Sequence, residues 1–84
     1  MFRRKRTSGI PTGRLVIVNT KDSRSLVGWI VHPPEGEPLR DDDALVLRDA
    51  RLLPTKEKIL GSAHVPAMNV SWIQGNVPAH LIED

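Results

Sequence analysis

Cysteine is absent from the 84-residue sequence, which excludes disulfide bonds and cysteine-ligated zinc sites. Long hydrophobic stretches are also absent, because no apolar run approaches the roughly 20 residues that a membrane-spanning helix needs. The first residues, MFRRKRTSGIPTG, lack the apolar middle of a secretory signal peptide. These three absences predict a soluble, intracellular protein that folds without disulfides.

The residue patterns that support catalysis or cofactor binding are missing as well. The sequence contains no glycine-rich phosphate loop, no Ser/His/Asp arrangement and no pair of carboxylates at a useful spacing. His32, His64 and His80 are far apart and lack metal-ligand spacing. The three aspartates at 41–43 are consecutive and belong to no EF-hand pattern. We therefore expect a non-enzymatic protein that holds no metal and no cofactor.

Charge is distributed unevenly along the chain. The net charge is +2, but residues 1–14 contain five basic residues and no acid, so this segment carries +5 and the rest −3. An acidic body is a poor nucleic-acid surface, because such binding depends mainly on neutralising phosphates. We interpret residues 1–13 as an extended basic arm that binds a partner, with a purely solubilising arm as the alternative. The partner-binding residues of this arm are Arg3, Arg4, Lys5 and Arg6.

Short segments rich in β-branched residues, separated by turn residues, make up the body of the chain. They predict strands over residues 14–20, 25–32, 43–53, 62–67 and 70–74. A short helix is the competing interpretation of 43–53, since Ala, Leu and Arg favour helix. Residues 55–61 read as a polar turn, and Gly28 indicates a sharp bend or a close backbone approach within its strand. The organisation is thus an arm (1–13), a β-domain (14–74) and a short C-terminal tail (75–84).

Both faces of the predicted strands are apolar. In the first strand Leu15 and Ile17 alternate with Val16 and Val18, whereas a half-exposed strand would alternate apolar with polar residues. One small barrel has one interior, so the arm, the tail or another chain must cover the second face. Because the arm and tail are short, we favour another chain. The predicted interface residues are Val27, Trp29, Val31, Val70 and Trp72.

The order and spacing of these segments resemble the Sm-like (LSm) family of small β-barrels. VIVNTKDSRSLVGWIV (16–31) is similar to the start of the first Sm motif, and ALVLRDA (44–50) to its third strand. LGSAHVPAMNVSWIQ (60–74) is similar to the second motif. The resemblance covers 14–74 and implies an all-β, five-stranded, strongly bent antiparallel barrel. It also implies rings, in which the fourth strand of one subunit pairs with the fifth strand of the next.

At two positions the sequence differs from the motifs of the family members that bind uridine-rich RNA. Those members carry Asp-x-x-x-Asn before the third strand and Arg-Gly after the fourth. Ala44 stands at the asparagine position, and Pro66-Ala67 stands where Arg-Gly is expected. Neither alanine nor proline has a side-chain donor or acceptor for a base. The family's RNA pocket therefore does not carry over to this chain.

Together these features predict a structural or assembly subunit that packs through apolar strand faces and a basic arm. Its partner would be another protein or copies of itself. The most specific form of this hypothesis is a bacteriophage virion component, such as a minor capsid, decoration or head–tail connector protein. The main alternative is an RNA-binding Sm-like ring that uses the arm and rim, and a third is an adaptor for one host protein.

Overall fold

The computed structural model describes residues 14–83, half of which form one antiparallel β-sheet of six strands. The strands are β1 (Leu15–Thr20), β2 (Ser25–His32), β3 (Ala44–Leu53), β4 (Glu57–Lys58), β5 (Ala63–Pro66) and β6 (Val70–Gln74). Short 3₁₀ helices follow β5 (Ala67–Asn69) and β6 (Ala79–Ile82). The helical interpretation of 43–53 is wrong, because these residues form β3. No helix within residues 14–83 is long and apolar enough to cross a membrane.

The strands hydrogen-bond in the order β4-β3-β2-β1-β6, and β5 pairs with β3 outside this path. β3 is the longest strand, and it pairs with β2 along one edge. Along its other edge the first half of β3 pairs with β5 and the second half with β4. The five predicted strands correspond to β1, β2, β3, β5 and β6. The sixth strand, β4, lies in the segment that the sequence predicts as a turn.

The register between β2 and β3 shifts at Gly28. Two residues of β3, Asp49 and Ala50, face this one residue of β2, and Asp49 has a positive φ of 53°. A Cβ atom at position 28 would lie 3.1 Å from the Leu47 Cβ and 3.2 Å from the Ala50 Cα. This spacing confirms the prediction that Gly28 marks a close backbone approach.

The core lies on one face of the sheet and is entirely aliphatic. Alternation along the strands aims every second side chain of β1, β2 and β5 into it. Its buried members are Val16, Val18, Leu26, Ile30, Leu45, Leu47, Ala50, Ala63 and Val65. Burying a Val, Leu or Ile side chain contributes about 1.5–3 kcal/mol relative to its exposure, so this cluster is the main source of the fold's stability.

A hydrogen bond between an imidazole and a carboxylate closes the base of the loop 33–42. The Nε2 atom of His32 lies 2.7 Å from Oδ2 of Asp43. The other carboxylate oxygen of Asp43 accepts the backbone N–H of Ala44 at 2.8 Å, and its carbonyl accepts the N–H of Ala67 at 2.9 Å. The hydrogen bond from His32 is the main reason that the pKa of Asp43 lies below its ordinary value of 3.8. Asp43 thus ties the loop to the turn between β5 and β6.

Removing the imidazole by His32→Ala is expected to raise the pKa of Asp43 toward 3.8. Asp22 is the internal control, because its pKa is lowered mainly by the hydroxyl of Thr20 and not by His32. A carboxyl NMR titration measures both groups in one sample. Since its folded-state pKa is lowered, Asp43 favours the folded state above pH 3.8, and that contribution is lost as pH falls through the folded-state value. An unchanged Asp43 titration in the variant would contradict this assignment.

Candidate protein interface

The sheet face opposite the core carries the residues that the sequence predicts as an interface. Strand alternation places the following side chains on this face, which we call the outer face: Leu15, Ile17, Asn19, Val27, Trp29, Val31 and Trp72. Val70, the remaining predicted interface residue, lies at the start of β6 and packs partly against the core instead.

The centre of the outer face is covered by the chain itself. Leu15 is buried, and Val27 has no exposed surface, within a single chain. The 3₁₀ helix at Ala79–Ile82 contacts β2 and β3. Leu15 and Val27 are therefore covered within the single chain. Val27 does not reach the surface that a partner would meet.

Trp29 is half-buried beside a basic side chain. The guanidinium carbon of Arg48 lies 5.3 Å from the centroid of the indole ring, within range of a cation–π interaction. Arg48 also donates to the carboxylate of its neighbour Asp49 at 2.7 Å. One side of the Trp29 ring is therefore in contact with Arg48 of its own chain.

Trp72 and Val31 are the exposed members of the predicted interface, with 55% and 46% of their surfaces accessible. The structure does not bring the two tryptophans together. Trp29 pairs with Leu15 on one side of β1, and Trp72 pairs with Asn19 on the other side. Strand spacing and rise place their Cα atoms about 16 Å apart. A partner would therefore contact the two tryptophans at separate places on the sheet.

β6 is a sheet edge without the usual protection. Among the described strands it pairs only with β1, and its sequence, VSWIQ, contains no charge and no proline. Natural edge strands are commonly blocked by lysine, proline or a cover, since open backbone groups recruit further strands. Met68, which is 69% exposed, lies in the turn that leads into β6. We call Met68 together with Val70–Gln74 the β6 edge.

Two exposed apolar residues could not be predicted from the sequence. Met68 and Leu60, which is 95% exposed, are single apolar residues in turns, where no periodicity marks a side chain as inward or outward.

The basic arm, with Arg3, Arg4, Lys5 and Arg6, lies outside the described residues. The two positions that depart from the RNA-binding pattern are adjacent, because Ala44 pairs with Pro66 between β3 and β5.

Within the described part of the chain, no three histidine or acidic side chains are grouped so that they could hold a metal ion. The geometry is therefore that of a surface with an open strand edge and isolated apolar side chains. In comparisons with known proteins, no family model matches the chain and no curated protein matches it.

Proposed function

We propose that this chain is a non-enzymatic structural subunit that assembles with copies of itself through the β6 edge. The observation that carries the proposal is the uncharged, singly paired strand β6 with Trp72 exposed on it. An open edge offers a row of backbone donors and acceptors to an incoming strand, and neighbouring side chains then determine which strand fits.

The contact would combine backbone pairing with apolar burial. A strand added to β6 satisfies its outward N–H and C=O groups. The indole of Trp72 and the thioether of Met68 then lose their exposed surface. Exposed aromatic side chains dominate the energetics of such contacts, because they bury a large area with few rotatable bonds. The β5 strand, like β4, pairs only with β3, and the family resemblance points to β5 as the incoming partner.

The most specific form of this proposal is a bacteriophage virion component: a minor capsid, decoration or head–tail connector subunit. It rests on the two-faced apolar sheet and on the charge of residues 1–13, which favours contact with an acidic surface. A closed Sm-like barrel and a ring of copies belong to the same proposal. The five corresponding strands and their pairing order support it.

The alternative, an RNA-binding ring, has less support. Ala44 and Pro66 lie opposite each other, and neither can hydrogen-bond a base edge. The body carries −3 outside residues 1–14, so phosphate contacts would come from the arm. Four or five such contacts would give a log-affinity slope of about −3 to −5 against log salt.

A lysine in place of the exposed indole, Trp72→Lys, is expected to convert assemblies of the full-length chain to monomers. A charge on an edge strand opposes strand addition, and the change also removes the main apolar contact. Thr55→Lys is the matched control, because it adds the same charge at an exposed turn position outside β6. Light scattering after size exclusion measures the mass. Equal masses for Trp72→Lys and the unmodified chain would contradict the proposal.

A further inference from the structure

We draw no further inference here: the strongest candidate, the uncharged depression of about 410 Å³ on the outer face that is lined by Asn19, Ser25, Leu53 and Gln74, carries none, because the Nδ2 atom of Asn19, which has no hydrogen-bond partner among residues 14–83, is buried out of reach of a ligand and nothing in the structure shows what covers the depression.

Discussion

Leu47→Ala is expected to lower the free energy of unfolding by about 2–5 kcal/mol, because the truncation leaves a cavity that the neighbours fill only partly. Leu47 has no exposed surface and lies in the centre of the core, on β3. Its strand pairs with β2, β4 and β5, so its packing connects most of the sheet. A chain of this length has a total stability of about 4–13 kcal/mol. Loss of this side chain therefore brings the domain close to unfolding.

Urea unfolding followed by tryptophan fluorescence measures this change. Leu60→Ala is the matched control, since the same atoms are removed from a side chain that is 95% exposed. Its effect is expected to stay within about 0.5 kcal/mol. Similar losses for the two leucines would contradict the placement of the core on the face that contains Leu47.

Gly28→Val is the second substitution with a large expected effect. Even a single Cβ at this position would lie 3.1–3.2 Å from Leu47 and Ala50, closer than ordinary van der Waals contact. Valine adds two more methyl groups to this buried site. Overpacking of this kind costs about 1–3 kcal/mol.

Gly75→Val provides the comparison for that substitution, because a Cβ at Gly75 meets nothing within 4 Å. Thermal and urea unfolding of the two variants are expected to differ by more than 1 kcal/mol, with Gly28→Val the less stable. A Gly28→Val chain as stable as Gly75→Val would mean that β2 and β3 do not approach closely at Gly28.

Most strand positions could be predicted from local sequence. Runs of β-branched residues bounded by turn residues predict β1, β2, β3, β5 and β6 to within one residue or so at each end. β4 was missed because Glu57–Lys58 is a two-residue polar strand. It exists only because the chain returns alongside Arg51 and Leu52, and no local pattern marks such a tertiary pairing.

The outer face was harder to predict, since burial there depends on the path of other segments. Val27 and Trp72 both lie in apolar runs, yet Val27 is fully buried and Trp72 is more than half exposed. The difference follows from position in the sheet: Val27 is on a central strand near the tail, and Trp72 is on the edge strand. Periodicity identifies a second apolar face, but it does not say which part of that face the chain covers itself.

Native mass spectrometry of the full-length chain, purified without nuclease treatment, tests the central claim most directly. Assembly through the β6 edge predicts oligomers whose masses are whole multiples of the chain, with no RNA attached, and their replacement by monomers in Trp72→Lys. A chain that stays monomeric at every concentration, or a ring whose mass includes RNA, would contradict the proposed function.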